Sequence, residues 1–190
     1  MSLVGRKAPL FKAPAIVDND SIVEEFSLEQ FINKNEVILF FYPRDFTFIC
    51  PTEIIAFQNL LPEFKKRRVE VVGVSTDTEE VHLAWLMTPQ DKGGIEGVTF
   101  PLVADVSKTV SNAFGVLGGD YSFNEKNELV FSGVPVALRA TFLIDKQGII
   151  RHEYVNDLSV GRNIDDTLRM VAAWQHFENS GELCAADWNE

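Results

Sequence analysis

Cys50 is one of only two cysteines in this chain of 190 residues, and its surroundings favour a reactive thiol. An apolar, strand-like run over residues 37–42 leads into the segment PRDFTFICPTE (43–53), and a helix-like run starts near Pro51. Cys50 is therefore expected at the N-terminus of a helix, where unpaired N–H groups and the helix dipole favour negative charge. The thiolate, which is the nucleophilic form of cysteine, is favoured in such environments.

Two neighbours could complete a reactive site, but the local sequence lacks a fixed positive charge. Thr47 could donate a hydrogen bond to the sulfur or to a bound oxygen, and Pro43 could shield the site from water. Arg44 is the nearest cation and could equally point to solvent. The alternative is structural: Thr47 would cap the helix and Cys50 would fill core as a small apolar side chain. The spacing alone does not decide between the two.

Metal chemistry is not expected. Cys50 and Cys184 are 134 positions apart (184 − 50), and the histidines His82, His152 and His176 are scattered, so no pair has zinc-ligand spacing. A Cys–His catalytic pair stays open, although each histidine is expected on the surface of a helix or strand. We expect neither a metal nor a cofactor.

The elements that position Cys50 are those of an α/β domain. The order of elements indicates one unit with a mixed central sheet, which places active sites just past a strand and at the start of the next helix. Apolar patterning predicts strands over 37–42, 69–74, 101–104, 140–144 and 149–155, and helices over 51–68, 78–87, 107–114 and 163–178.

Three details of this pattern are less regular. Pro62 is expected to kink or crowd the first helix. Residues 118–136 are expected to form a surface hairpin, at the approach to the active site or in a subunit contact. The tail, residues 179–190, has little to bury apart from Leu183 and Trp188.

Composition excludes several classes of protein. A net charge of −11 and a pI of about 4.7 argue against a nucleic-acid partner, which needs clustered cations. The apolar runs are too short to cross a membrane, and the N-terminus lacks the apolar core of a signal peptide. Two cysteines do not make a disulfide framework. We therefore expect a cytoplasmic protein.

Two cysteine-bearing segments resemble those of a known family. Residues 43–53 resemble the active-site segment of the typical two-cysteine peroxiredoxins, and GELCAADW (181–188) resembles their resolving-cysteine segment. The similarity covers nearly the whole chain in order, since it continues in LVGRKAP (3–9), AWLMTP (84–89), RATFLID (139–145) and NDLSVGR (156–162).

The resemblance implies a thioredoxin-like fold, with a peroxidase domain over 1–165 and a C-terminal helix and tail over 166–190 that work as one unit. By the same resemblance Cys50 is the peroxidatic cysteine and Cys184 the resolving cysteine. The remaining implied site residues are Pro43, Thr47 and Arg139 around the peroxide, and Glu53 and Arg162, which would orient Arg139 and so provide the missing charge.

The implied activity is the reduction of hydrogen peroxide and organic hydroperoxides. Cys50 would become a sulfenic acid and then a disulfide with Cys184 of the partner subunit. Thioredoxin or an alkyl hydroperoxide reductase-type flavoprotein would restore the thiols, and homodimers would assemble into decamers. Neither nucleic acid nor a membrane is an expected partner.

The chain departs from the family pattern at three places. Residues 93–96 read Gly-Gly-Ile-Glu instead of Gly-Gly-Leu-Gly, and no Tyr-Phe-bearing helix follows the tail, so disulfide formation is expected to outrun over-oxidation. Residues 118–136 are longer than the family needs, and Ala185 replaces a proline.

Two alternative functions have less support from the sequence. A disulfide oxidoreductase of the same fold would need C-x-x-C, whereas residues 50–53 read CPTE. A chaperone or redox-signalling adaptor is the non-enzymatic alternative, but every catalytic position of the family is present, so peroxidase activity takes precedence.

Overall fold

The computed structural model describes residues 2–190, which form a mixed α/β domain. The strands in this range are β1 (Lys12–Val17), β2 (Ser21–Ser27), β3 (Glu36–Phe41), β4 (Val69–Ser75), β5 (Leu102–Ala104), β6 (Leu117–Phe123), β7 (Leu129–Ala137), β8 (Arg139–Ile144) and β9 (Ile150–Asn156). The helices are α1 (Cys50–Lys66), α2 (Glu79–Leu86), α3 (Thr109–Ala113) and α4 (Ile164–Ser180). None of the helices in residues 2–190 is long and apolar enough to span a bilayer.

The main sheet has the strand order β2-β1-β5-β4-β3-β8-β9. Strand β4 is parallel to both β3 and β5, whereas β8 runs antiparallel to β3 and to β9. The prediction of a mixed sheet is confirmed. Strand β3 lies between β4 and β8. The loop that follows β3 therefore lies next to the end of β4 and the start of β8.

Strand β3 is buried along its whole length, and its side chains alternate between two cores. Phe40 faces α1 and stacks on Phe57 with ring centroids 4.3 Å apart. Phe41 faces the opposite side and meets Phe142 edge-on at 5.8 Å. Burial on both faces explains why the sequence of β3 is an unbroken apolar run.

Helix α1 continues through Pro62 and ends at Lys66, so the proline does not terminate it. Helix α4 runs in the same direction alongside α1. The backbone N–H of Arg162, just before α4, donates to Glu53 near the start of α1. Near the other end, the Gln175 side chain donates to the carbonyl of Arg67. A division at residue 165 would fall inside the first turn of α4.

The sequence pattern did not predict the β1–β2 hairpin, and it predicted a β6–β7 hairpin with arms that are too short. Strands β1 and β2 were not predicted, although the turn between them carries Asp18 and Asn19 at positive φ, a backbone shape that these residue types tolerate. The predicted hairpin within 118–136 is present, but its arms extend over the whole of β6 and β7.

Of the two tail residues that were expected to be buried, Leu183 is exposed and Trp188 is partly buried. Leu183 is 86% exposed rather than buried. Trp188 is half-buried and packs its ring on His176, with centroids 5.1 Å apart.

Candidate active site

Cys50 is the first residue of α1, and its side chain is fully buried. The helix N-cap is Ile49, which makes no side-chain capping bond, so the alternative that Thr47 caps the helix is wrong. The Thr47 hydroxyl is exposed and donates to the carbonyl of Arg44 at 3.0 Å rather than to the sulfur. Pro43 is buried in the same loop.

Arg139 supplies the positive charge that the local sequence lacked. Its Nη1 atom lies 3.5 Å from Cys50 Sγ and donates to Glu53 Oε2 at 2.7 Å. Its Nε atom donates to the carbonyl of Leu158 at 2.8 Å, and the side chain is only 4% exposed. The hydrogen bonds to Glu53 and to the carbonyl of Leu158 keep the buried guanidinium in place beside the sulfur, where its charge stabilises an anion.

The sheet register explains how Arg139 reaches a cysteine 89 positions earlier in the chain. Thr141 of β8 lies opposite Phe40 of β3. Arg139 comes two residues before Thr141 on the antiparallel strand, so it falls beside the place where β3 passes into the loop of Cys50.

Glu53 joins two buried arginines. Arg162 donates to it from its backbone N–H, Nε and Nη2, each at 2.9 Å, and Arg139 adds a fourth hydrogen bond. Burial opposes ionisation of Glu53, but the hydrogen bonds and charge of Arg162, assisted by Arg139, outweigh it and hold its pKa below the usual value. The Arg162 guanidinium is fully buried, 5.1 Å from the ring of Phe40, and also donates to the carbonyl of Ala140.

The structure therefore brings together four of the predicted site residues: Cys50, Glu53, Arg139 and Arg162. Sequence reasoning missed the carbonyl of Leu158, which holds Arg139. A loop carbonyl leaves no trace in residue type, so no sequence signal could have found it.

A second buried cluster lies beneath the active-site loop, and it corrects the prediction for one histidine. His82 is fully buried rather than on a helix surface, and its Nδ1 atom lies 2.7 Å from Asp45 Oδ2. Tyr42 donates to the other oxygen of Asp45 at 2.9 Å. Burial disfavours the charged imidazole, but the adjacent Asp45 carboxylate outweighs this effect and raises the pKa of His82. Asp45 lies between Pro43 and Thr47, so this pair anchors the loop.

Cys184 lies apart from Cys50. Its Sγ donates to the carbonyl of Ala173 at 3.3 Å, over an apolar groove of about 310 Å³ between α4 and the sheet. Ala173 lies about 14 Å along the helix axis from Ile164, the first residue of α4. The groove is lined by Leu143, Arg151, His152, Met170, Ala173, Trp174, Phe177, Leu183 and Cys184.

The β6–β7 hairpin stands beside the active-site loop. Tyr121 and Phe131 pair across its strands, with ring centroids 4.9 Å apart in a T-shaped contact. Both side chains line an open cleft of about 510 Å³ that Arg44 and Lys108 also line. The hairpin thus lies next to Arg44 of the active-site loop, and its predicted role in a subunit contact stays a prediction.

A buried cysteine at the first turn of the helix after a central strand, facing a fixed arginine, defines a thiol enzyme of the α/β class. Residues 4–153 match the AhpC/TSA family. The chain is 49% identical to alkyl hydroperoxide reductase C of Helicobacter pylori over 188 residues, which cover 99% of this chain and 88% of that protein. It is 44% identical to peroxiredoxin-2 of Macaca fascicularis over 185 residues, with coverages of 97% and 85%.

Solved structures give the same result. The reduced 2-Cys peroxiredoxin of Plasmodium vivax aligns with a TM-score of 0.88 and 42% identity, covering 100% of this chain and 90% of that one. The thioredoxin-like fold implied by the resemblance is confirmed. The chain belongs to the AhpC/TSA family and is a peroxiredoxin, a thiol-dependent peroxidase.

Proposed function

We propose that the chain reduces hydrogen peroxide and organic hydroperoxides at Cys50. The observation that carries this proposal is the 3.5 Å contact between Arg139 Nη1 and Cys50 Sγ. The thiolate attacks one peroxide oxygen, the O–O bond breaks, and an S–O bond forms. Cys50 becomes a sulfenic acid, and the other oxygen takes a proton and leaves as water or an alcohol. The name of the Helicobacter pylori relative supports an organic hydroperoxide as a substrate.

The surrounding residues stabilise charge on the leaving oxygen. Arg139 directs Nη1 at the sulfur, while Glu53 and Arg162 fix its position. In the proposed complex the Thr47 hydroxyl donates to the bound peroxide instead of to the carbonyl of Arg44. Buried Pro43 limits the access of water to the site. This arrangement acts on the leaving oxygen as an oxyanion hole acts on an acyl intermediate.

We further propose that Cys184 of the partner subunit resolves the sulfenic acid. Its thiolate attacks the Cys50 sulfur, a disulfide forms, and hydroxide leaves and is protonated to water. Ser180, the last residue of α4, lies about 24 Å along the helix axis from its first residue, Ile164. The four residues from Ser180 to Cys184 span at most ~14 Å. The docked position of Cys184 on Ala173, away from the start of α1, supports resolution by a second subunit, and the proposed cycle runs in a homodimer.

The remaining parts of the proposal follow from this cycle. Cys50 is buried in a helical turn, so the first turn of α1 unwinds before the disulfide forms. Thioredoxin or an alkyl hydroperoxide reductase-type flavoprotein restores the thiols by disulfide exchange, and the cytoplasm provides such reductants. Homodimers assemble into decamers. Assembly has a parallel in Prx1a of Plasmodium yoelii, for which an N-terminally modified form is described as an artifactual octamer.

The test uses the purified protein with a thiol reductant and two substrates, hydrogen peroxide and cumene hydroperoxide. Both peroxides should disappear with the wild type and persist with Cys50→Ser. Cys184→Ser without reductant should consume about one peroxide per chain and show no reducible dimer on a non-reducing gel. A dimer band that persists in Cys184→Ser, or peroxide loss in Cys50→Ser, would refute the assignment.

A further inference from the structure

One face of the β6–β7 hairpin is apolar and open to solvent. Four side chains make up this face, which we call the hairpin face: Tyr121, Phe123, Leu129 and Phe131. They form two cross-strand pairs that are two positions apart along the strands, so both pairs stand on the same side of the ribbon, about 7 Å from each other. Tyr121, Phe123 and Leu129 are each more than half exposed. A contiguous exposed apolar surface of this kind marks a place that binds a ligand or a partner.

The hairpin face continues into the open cleft of about 510 Å³ beside the active-site loop. Tyr121 and Phe131 belong to both, and Pro135 extends the apolar lining toward the end of β7. The rest of the lining includes the cations Arg44 and Lys108. The cleft therefore combines aromatic surface with positive charge, which is the usual make-up of a site for a ligand that is apolar at one end and charged at the other.

The cations of the cleft are available to a ligand. Within residues 2–190 the guanidinium of Arg44 has no hydrogen-bond or ion-pair partner. Lys108 Nζ makes a single hydrogen bond, at 3.3 Å, to a backbone carbonyl. The carboxylate among the lining residues, that of Asp77, already accepts two hydrogen bonds from its own surroundings. The cleft is thus a local positive site on a protein whose net charge is −11, and it would attract an anion that the rest of the surface repels.

The cleft is connected to the peroxide site on both sides. Arg44 directly follows Pro43, and its carbonyl accepts from the hydroxyl of Thr47. On the hairpin side, Pro135 comes four positions before Arg139, and β7 passes into β8 with one residue between them. A molecule in the cleft therefore lies against the two segments that carry the residues proposed to bind the peroxide.

We propose that the hairpin face and the cleft form a substrate subsite for hydroperoxides that have an apolar body and an anionic head group, the chemistry of an oxidised fatty acid. The apolar body packs on Tyr121 and Phe131, and the carboxylate pairs with Arg44 and Lys108. The inference rests on the proposed peroxidase activity and adds the class of organic hydroperoxide that the same site prefers.

The reaction at Cys50 is unchanged by the subsite. The thiolate takes the terminal oxygen of the hydroperoxide, the O–O bond breaks, and an S–O bond forms. The remaining oxygen stays on the organic body and takes a proton, so the products are the Cys50 sulfenic acid and a hydroxy acid. Hydrogen peroxide has no group to place in the cleft and reacts without its help.

The experiment compares three probes below their micelle concentrations: linoleate hydroperoxide, its uncharged methyl ester and hydrogen peroxide. The variants are Arg44→Gln and Tyr121→Ala, with Lys126→Gln as the matched control. Lys126 is an exposed cation in the turn of the same hairpin, outside the cleft. Rapid mixing with mass spectrometry gives the second-order rate constant of sulfenic acid formation for each pair, and light scattering gives the mass of the assembly.

Arg44→Gln should lower the rate constant for linoleate hydroperoxide about two- to fivefold and leave the methyl ester and hydrogen peroxide within about twofold of wild type. Tyr121→Ala should slow both lipid probes about two- to fivefold and spare hydrogen peroxide, because it removes apolar contact area. Lys126→Gln should match wild type with all three probes.

Two results would overturn the inference. One is reaction of linoleate hydroperoxide at the wild-type rate in both cleft variants. The other is a smaller assembly in Tyr121→Ala with every rate constant unchanged, which would make the hairpin face a subunit contact instead. Failure of the wild type to react with any of the three probes would overturn the proposed function itself.

Discussion

Replacing Arg139 by glutamine tests the electrostatic basis of the site. At 3.5 Å from the sulfur, a unit charge contributes about 5 kcal/mol at an effective dielectric constant of about 20. The Glu53 carboxylate on the far side of the guanidinium cancels part of this field. A net loss of about 2–3 kcal/mol corresponds to a rate lower by roughly 30- to 150-fold.

The appropriate measurement is the second-order rate constant of Cys50 with hydrogen peroxide, obtained by competition with a haem peroxidase. Folding should survive, because Arg162 keeps its three hydrogen bonds to Glu53 in the variant. Circular dichroism melts verify this point. The matched control is Arg44→Gln, which removes an exposed cation from the same loop and should change the rate less than twofold. A folded Arg139→Gln protein that reacts within threefold of the wild-type rate would show that the charge does not drive the chemistry.

Two further predictions concern stability. Glu53→Gln leaves the buried Arg139 and Arg162 without a counter-charge and should reduce the free energy of unfolding by about 3–5 kcal/mol in urea titrations; a loss below about 1 kcal/mol would contradict the buried ion pair. Because the pKa of Glu53 is lowered from 4.5, this difference should be constant between pH 6 and 8 and shrink below pH 4.5 as the folded carboxylate is protonated. The pKa of His82 is raised above 6.5, so its contribution is complete below pH 6.5 and is lost as pH rises through the folded value. Melting temperature should therefore fall more between pH 6 and 9 in the wild type than in His82→Gln, and equal slopes would argue against the Asp45 pairing.

The position of Cys50 could be predicted from sequence because its determinants are local. A buried strand, a proline-bearing loop and an amphipathic helix follow one another within thirty positions, from 37 to 66. The contact with Arg139 could not be found this way. It depends on the register of β8 on β3, and only the family resemblance indicated it before the structure did.

The errors have physical causes as well. His82 was expected on a surface because histidine is polar, but it shares a helix face with Trp85 and Leu86, at spacings of three and four, and that face is buried. Strand β2 was missed because most of its side chains are exposed, so it lacks an apolar pattern. Leu183 was expected to be buried for its residue type alone, but it lines an open groove on the surface and is 86% exposed.

The network around Glu53 limits how far the active site can unwind. Glu53 lies three residues after Cys50 and is held by four hydrogen bonds from two buried arginines. Breaking those bonds would leave three buried charges unpaired, so unwinding of α1 stops before Glu53. The freed residues let Cys50 move outward by at most ~10 Å. In the proposed cycle the rest of the approach therefore comes from movement of Cys184 of the partner subunit.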